Sequence, residues 1–299
     1  MIALVMSVSL PMTTYAANWY LEDGSVTVNA DNSGQTVTQG SGSAVPDEAP
    51  VITQRNSSAE TSNTITINAA ENATANVTIS NVNIDTSGAA VSTGGKGNVN
   101  IELDGTNTLK SGREHAGLEK SGDGKLTITD ENGNGKLIAT GGDYGAGIGG
   151  DDQGNGKNIT ITGGEVTAAG GTNGAGIGGG GGISGKGEKI SISGDAALKV
   201  QGGPTDGWDG AGAGIGNGGS HNGDFLSGTI PVNGAETEPD TANLTTGKIE
   251  YYAPGADMTK DEPTSTILGS GQPASPGETA ASVEYRMQTS ASEPVQGNG

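Results

Sequence analysis

The chain lacks cysteine and is poor in aromatic and basic residues. Its 299 residues include no Cys, only 2 Trp, 6 Tyr and 1 Phe, and 14 Lys and Arg against 34 Asp and Glu. Without cysteine there is no disulfide framework, thiol nucleophile or thiolate metal site. A chain with so few cations and a net charge of −20 is poorly suited to a phosphate backbone, so we expect no nucleic-acid partner.

Large apolar residues are scarce as well. Leu, Ile, Val and Phe make up 49 of 299 residues, about 16 %, which together with the acidic charge is typical of disordered chains. The 56 glycines fall short of one residue in three, which excludes a collagen triple helix. No apolar run reaches the roughly 18 residues that a transmembrane helix needs, so we expect no membrane insertion. Whether the chain folds therefore depends on where its few apolar residues lie.

The two ends differ in composition from the body. Residues 1–16 contain an apolar stretch followed by Thr14-Tyr15-Ala16, a small-residue pattern suited to signal peptidase. We interpret them as a secretory signal peptide, truncated because no basic residue precedes Arg55; a buried N-terminal strand is the alternative. Eight of the 11 prolines lie from Pro204 onward, and residues 222–299 are predicted to be an acidic Pro/Gly/Ser linker or part of a following region. One strand is predicted there, at residues 248–252.

Residues 17–221 contain a repeated glycine-rich hexad. Copies begin at Gly145, Gly174 and Gly212, and a degenerate copy begins at His115, with start-to-start spacings of 30, 29 and 38 residues. The copies that begin at His115, Gly145 and Gly174 are each followed by an alternating segment and then by a second short apolar segment. These six predicted strands cover residues 125–129, 136–139, 158–162, 165–168, 189–193 and 197–200, and similar segments without the hexad occur at 25–28, 64–67, 76–84 and 98–103.

The alternation predicts an architecture. A period of two places Ile159 and Ile161 on a buried face and Thr160 on an exposed one, and the same holds in the neighbouring repeats. A unit of about 30 residues with short strands and Gly/Asn turns predicts an all-β fold, a single right-handed parallel β-helix with a disordered or weakly structured acidic C-terminal tail. A β-sandwich of alternating hairpins is the rival architecture. Stacked coils need only a narrow apolar column, which removes the conflict with composition.

The hexads and the strands after them resemble a known group of proteins. Gly145-Ala146-Gly147-Ile148-Gly149-Gly150 and Asn158-Ile159-Thr160-Ile161-Thr162 are similar to repeats of secreted, glycine-rich parallel β-helix proteins of Gram-positive gut bacteria. The resemblance covers about residues 18–220. Such proteins are described as carbohydrate-binding-domain or adhesin-like surface proteins, so the resemblance implies a partner that is a polysaccharide or a host or cell-wall glycan.

Candidate ligand-binding residues concentrate in the insertion before the last hexad. Trp208 stands between Asp206 and Asp209, an aromatic ring with two carboxylates that can hold a sugar. Tyr144 is the only aromatic residue between Leu21 and Gly203. An alternative role for Trp208 is capping the C-terminal end of the repeats, and we expect Trp19 to cap the N-terminal end.

The degenerate hexad supplies the other candidates. His115 and Glu119 are interpreted as ligand-binding, although a catalytic acid–base pair or ordinary surface residues are alternatives. The 30-residue offset predicts an ion pair between Arg113 and Asp143. Ala146 and Ile148 should point inward and Gly147 outward, where glycine provides close packing or a shallow floor for a ligand.

A calcium loop is the only metal site that the sequence suggests. Asp130, Asn132 and Asn134 match the first half of an EF-hand loop, but the twelfth position is Gly141, so no cofactor is expected beyond weak calcium. The same residues are common in ordinary turns.

These observations favour a secreted or cell-surface, non-enzymatic module that binds glycans or mediates adhesion. A structural stalk that displays another domain is one alternative. A polysaccharide lyase or hydrolase is the other, although no cluster of Asp with Arg, Lys or His repeats at the spacing of the coils.

Overall fold

The computed structural model describes residues 16–183, 185–222 and 230–271, and this part of the chain is all-β. It contains 25 strands and one short 3₁₀ helix at Leu21–Asp23, and no α-helix occurs among the described residues. The predicted signal peptide falls on residues that are, except for Ala16, outside the described ranges. Residues 272–299 of the predicted linker also lie outside them.

The strands, numbered along the chain, form three large sheets and one hairpin. Sheet I contains β1 (Asn18–Tyr20), β5 (Val51–Thr53), β7 (Thr74–Ser80), β10 (Asn98–Asp104), β13 (Leu126–Thr129), β16 (Gly156–Ile161) and β19 (Gly187–Ile192). Sheet II contains β21 (Ile215–Gly216), β18 (Ile177–Gly178), β15 (Ile148–Gly149), β12 (Leu118–Lys120), β9 (Val91–Gly95), β6 (Ile65–Ala69), β2 (Val26–Asp31), β3 (Gly34–Gln39) and β4 (Val45–Pro46). Sheet III contains β25 (Ser265–Leu268), β24 (Lys248–Tyr252), β20 (Ala197–Gln201), β17 (Glu165–Ala169), β14 (Lys136–Thr140), β11 (Thr106–Lys110) and β8 (Asn83–Asp85). β22 (Ser220–Asn222) and β23 (Ile230–Val232) form the hairpin.

Successive strands visit the three sheets in a fixed order. From β6 to β20 the chain passes from sheet II to sheet I to sheet III and then returns to sheet II. Neighbouring strands within each sheet are parallel in this region, as between β13 and β16 or between β14 and β17. Parallel pairing excludes a sandwich of alternating hairpins, because a hairpin joins antiparallel strands. The predicted strands are present, and the segment predicted at 76–84 is divided into β7 and β8 at Asn81, which has φ 54°.

The apolar residues form columns that run from strand to strand. Ile159 pairs with Ile190 on one side and with Leu126 on the other, and all three are buried. The intervening outward positions are occupied by hydroxyl residues, where Thr160 pairs with Thr127 and with Ser191. A fully buried aliphatic side chain contributes about 1.5–3 kcal/mol relative to an exposed one. The scarce apolar residues are thus placed in one continuous core.

Glycine columns allow the turns between sheets III and II to stack. A Cβ atom added to Gly142, Gly171 or Gly203 would lie 1.9, 1.8 and 1.6 Å, respectively, from the carbonyl oxygen of a glycine one repeat earlier. Real Cβ atoms never come so close to another atom, so each of these positions requires glycine. The backbones of successive turns are therefore in direct contact. The predicted orientation of the hexad is correct for Ala146 and Ile148, which are buried.

The predicted outward position of Gly147 is wrong. Gly147 is buried, and a Cβ there would lie 2.7 Å from the amide nitrogen of Ala169 in β17 and 2.6 Å from the carbonyl oxygen of Gly176. The position therefore provides close packing between sheet III and the hexad, and the shallow ligand floor is absent there.

Both ends of the stack are covered. Trp19 in β1 packs against the core and donates its indole N–H to Asp47 Oδ2 at 2.9 Å. At the other end, the Glu236 carboxylate accepts hydrogen bonds from the amides of Gly214 (2.7 Å) and Ile215 (3.0 Å), next to the last strand of sheet II. Such contacts satisfy polar groups that an open sheet edge leaves unpaired.

The prediction of a disordered or weakly structured tail is wrong for residues 248–268. The strand predicted at residues 248–252 is present as β24, which pairs in parallel with β20, and β25 adds an antiparallel strand. Ile249, Tyr251 and Tyr252 are buried against the body. Their apolar side chains give this segment a surface to bury, in spite of its acidic composition.

The close approach of the glycines predicts a position-dependent cost of adding a methyl group. We expect Gly171→Ala to lower the free energy of unfolding by about 1–3 kcal/mol, because the Gly142 carbonyl must move. Gly88→Ala is the matched control, since nothing lies within 4 Å of its added Cβ, and we expect a change below about 0.5 kcal/mol. Urea unfolding measures both. Equal effects of the two substitutions would contradict the packing account.

Candidate functional site

The turns that link sheet III to sheet II present one equivalent position in successive repeats. Glu114, Tyr144 and Asn173 have left-handed backbones with φ of 74°, 70° and 65°. Backbone hydrogen bonds link each of these turns to the next one. The Glu114 N–H donates to Asp143 O at 2.7 Å, and the Tyr144 N–H donates to Thr172 O at 2.8 Å. Left-handed geometry is uncommon outside glycine, and strained positions of this kind cluster at functional sites.

Tyr144 and the insertion loop meet, although they are 62 residues apart. The Tyr144 hydroxyl donates to Asp206 Oδ2 at 3.3 Å, and the Arg113 guanidinium carbon lies 5.5 Å from the ring centroid. The ring is therefore flanked by a carboxylate and by a cation. We call the surface formed by Arg113, Tyr144, Asp206 and Trp208 the aromatic–acid surface.

The predicted ion pair between Arg113 and Asp143 is wrong. Arg113 Nε lies 3.7 Å from Glu114 Oε1, and Asp143 Oδ1 accepts a hydrogen bond from the Thr172 hydroxyl at 2.7 Å. The repeat offset itself is correct, as the bond between Glu114 and Asp143 backbones shows. Because Glu114 has a left-handed backbone and the Tyr144 ring lies nearby, Arg113 contacts Glu114 and Tyr144. The repeat offset alone predicts Asp143 as its partner.

Asp206 organises the insertion loop. Its Oδ1 accepts hydrogen bonds from the amides of Trp208 at 2.9 Å and Asp209 at 2.8 Å. Burial raises the pKa of Asp206, but the hydrogen bonds from these amides and from the Tyr144 hydroxyl outweigh it and hold the pKa below its usual value. The Trp208 side chain it supports is 50 % exposed and stands outside the apolar core. A half-exposed ring on a loop that holds a fixed carboxylate can stack on an apolar sugar face while the carboxylate accepts hydroxyl hydrogen bonds.

Asp209 has a structural partner that the sequence argument missed. Its Oδ1 lies 2.6 Å from His221 Nδ1, and its backbone carbonyl accepts hydrogen bonds from Asn173 Nδ2 at 3.0 Å and Thr205 Oγ1 at 2.6 Å. Asp209 is nearly buried, so it anchors the loop and offers less to a ligand than Asp206 does. The sequence offered one signal for this contact, the rarity of histidine: the chain has only two, and His221 is the second.

The other two candidates form a separate pair. His115 Nδ1 lies 2.8 Å from Glu119 Oε2, and the Glu119 side chain is 12 % exposed. Burial raises the pKa of Glu119, opposed by the hydrogen bond and charge of His115 and reinforced by Asp151. Asp151 also has a raised pKa, caused chiefly by burial. The pair lies one repeat before Tyr144 in the stack, because the carbonyl of His115 accepts the Gly142 amide.

The predicted calcium ligands lie in a hydrogen-bonded turn. Asp130 Oδ1 accepts the Asn134 amide at 3.2 Å, and Asn134 Nδ2 donates to Asp104 Oδ1 at 2.9 Å. Asn132 is exposed in the same turn. Within the residues that the structure describes, no group of three or more His, Cys, Asp or Glu side chains is arranged to hold a metal ion. Calcium binding at these residues stays a prediction.

A large groove on sheet III was also missed, because its wall belongs to the segment predicted as linker. It has a volume of about 650 Å³ and lies between the outer face of sheet III and the loop that contains Met258. Gln201 holds this loop by donating to the carbonyls of Ala253 at 2.7 Å and Ala256 at 2.8 Å. The charged residues on its floor form two ion pairs, Lys136 with Glu165 and Lys248 with Glu250, so their charges cancel within each pair.

Comparison with known proteins yields no match to a family model, a curated protein or a solved structure. In the described ranges, no helix has the length and apolar character to cross a membrane.

The lowered pKa of Asp206 predicts an acid-induced change in the insertion loop. A carboxylate whose pKa is lower in the folded state stabilises the loop fully when the pH is above the usual pKa of aspartate. This stabilisation is lost as the pH falls through the folded-state pKa of Asp206. In a Trp19→Phe background, we expect Trp208 fluorescence to change on titration from about pH 6 to about pH 2, while far-UV circular dichroism stays constant. Adding Asp206→Ala should abolish the transition. An identical transition in both variants would show that another group causes it.

Proposed function

We propose that the three sheets form a single right-handed parallel β-helix, in which one coil supplies one strand to each sheet. The support is the fixed order of sheets II, I and III and the pairing of equivalent residues such as Ile161 and Ile192. Right-handed connections between parallel strands are the general rule.

We propose that this β-helix is a non-enzymatic, secreted or cell-surface module that binds a glycan or mediates adhesion. The observation that carries the proposal is the aromatic–acid surface, where Tyr144 and the loop of Trp208 meet through Asp206. The two aromatic residues come from distant parts of the sequence, and the carboxylate between them accepts three hydrogen bonds that fix its position. A fixed, partly apolar and partly acidic surface suits the faces and hydroxyls of a neutral sugar. The sequence resemblance to carbohydrate-binding and adhesin-like β-helix proteins points in the same direction.

One observation favours a second candidate, a polysaccharide lyase or hydrolase. Glu119 and Asp151 both have raised pKa values and both interact with His115, an arrangement that general acid–base chemistry uses. Against it, the Glu119 carboxylate is nearly buried and already hydrogen-bonded to His115. We therefore place binding ahead of catalysis.

Binding to the aromatic–acid surface is tested by glycan-array screening of the full chain, followed by titration of the best ligand. We expect Trp208→Ala and Tyr144→Ala each to weaken binding about tenfold, equivalent to about 1.4 kcal/mol, because each removes a ring from the surface. Tyr20→Ala is the matched control, since the Arg55 guanidinium carbon lies 4.0 Å from its ring centroid in the same kind of contact. That variant should bind like the wild type.

Two results would contradict the proposal. The first is the absence of binding to any plant, mucin or cell-wall glycan, which a structural stalk predicts. The second is the release of reducing ends or unsaturated products from a polysaccharide, lost in Glu119→Gln, which would establish the enzyme instead.

A further inference from the structure

Lysines collect at one place on this acidic chain. Lys96, Lys125 and Lys189 line a groove of about 370 Å³ where strands β10 to β19 of sheet I begin, together with Asp123. Lys157 joins them through an ion pair with Asp123 at 2.8 Å. Lys96 and Lys125 come shortly before β10 and β13, and Lys157 and Lys189 lie near the starts of β16 and β19. The fold thus brings together four lysines that span residues 96–189 of the sequence.

The spacing of the lysines follows the strands. Lys125, Asn158 and Lys189 each immediately precede one of the paired residues Leu126, Ile159 and Ile190. Adjacent strands lie about 4.8 Å apart, so the backbones of Lys125 and Lys189 are separated by about 10 Å. Asn158 in β16 and Lys189 in β19 have left-handed backbones with φ of 58° and 53°, so both lie at an equivalent point of their strands. The groove is thus a short ladder that runs across the strands.

The ladder carries a surplus of positive charge. Asp123 neutralises Lys157, and Glu71 lies 3.8 Å from Lys96. Lys125 and Lys189 are exposed and form no ion pair with any residue in the described ranges. On a chain with a net charge of −20, two unpaired cations in one groove are a local departure from the rest of the molecule.

A fifth lysine lies behind the groove. Lys120 is 4 % exposed and donates from Nζ to the Gly122 carbonyl. Burial lowers the pKa of Lys120 to about 8, with Asp123 opposing the change and Lys157 adding to it. Since a nearby anion favours the charged form of a lysine, a bound anionic group would relieve part of this cost.

We infer that this groove, the lysine ladder, binds a linear polysaccharide that carries carboxylate groups. Lys125 and Lys189 would each meet a carboxylate, while Asn158 and Thr160 between them offer hydrogen bonds to hydroxyl groups. The lining favours this ligand over a phosphate polymer, because it contains no arginine fork and includes the carboxylate of Asp123. It contains no aromatic ring on which a nucleic-acid base could stack. The inference extends the proposed glycan-binding function to a second, charge-selective site.

The test is isothermal titration of the full chain with polygalacturonate oligomers at low and at physiological salt. We expect the double variant Lys125→Gln/Lys189→Gln to bind at least about tenfold more weakly and to lose most of the salt dependence, because two charge contacts are removed. The matched control is Lys136→Gln/Lys248→Gln, which removes two lysines that are ion-paired on sheet III. It should bind within about twofold of the wild type, and thermal melting should show that both double variants are folded.

Titrations with other polymers distinguish a carboxylated polysaccharide from other classes of ligand. Neutral dextran, polyphosphate and single-stranded DNA should each bind more weakly than polygalacturonate. Tighter binding of polyphosphate or DNA, no binding of polygalacturonate, or equal weakening by the two double variants would overturn the inference. Loss of uronate binding in Trp208→Ala but not in the Lys125 and Lys189 double variant would also overturn it, while leaving the aromatic–acid surface supported. Retention of uronate binding in Trp208→Ala is the expected result.

Discussion

The direct contact of backbone with backbone in the glycine columns is the constraint on which the rest of the structure depends. The Cα atom of Gly174 lies so close to the carbonyl of Gly145 that an added Cβ would be 2.0 Å from its oxygen, and Gly212 meets Gly174 in the same way. This approach lets the turns between sheets III and II stack in register with the strands. It also explains how 56 glycines coexist with a well-packed core, since glycine is here a packing residue rather than a sign of disorder.

The uniform stack makes its departures informative. The glycines of these turns offer a ligand mainly backbone, whereas Glu114 and Tyr144 present side chains at matched points of successive repeats. The insertion before the last hexad adds Trp208 to the same region, fixed by Asp206 and anchored through Asp209 and His221. The proposed binding surface therefore lies on loops that a rigid scaffold holds, an arrangement common in binding proteins. The lysine ladder follows the same logic, because the spacing of its charges is the spacing of the strands.

Sequence alone predicted the elements that depend on periodicity. Alternation identified the strands and the buried face of Ile159 and Ile161, because a strand has a fixed period of two and every repeat confirmed the others. The sequence predicted Tyr144 as one candidate and the group of Asp206 and Trp208 as another, but it did not predict their contact, which depends on the path of the insertion. The outward position of Gly147 was wrong because alternation does not show that sheet III packs on the hexad. Similarly, composition could not reveal that Ile249 and Tyr251 bury their side chains in a segment that is otherwise acidic.

The central claim is that equivalent residues one repeat apart occupy interchangeable positions in the stack. Deletion of residues 141–169, from one turn glycine to the residue before the next, tests it most directly, because Gly170 then follows Thr140 in place of Gly141. The account predicts a shortened protein that unfolds cooperatively in urea with its β-rich circular dichroism retained, and with somewhat lower stability because one repeat interface is lost. Deletion of residues 141–155 alone, which shifts the strands out of register, should prevent folding. Failure of the full-repeat deletion to fold, or equal tolerance of both deletions, would contradict the account.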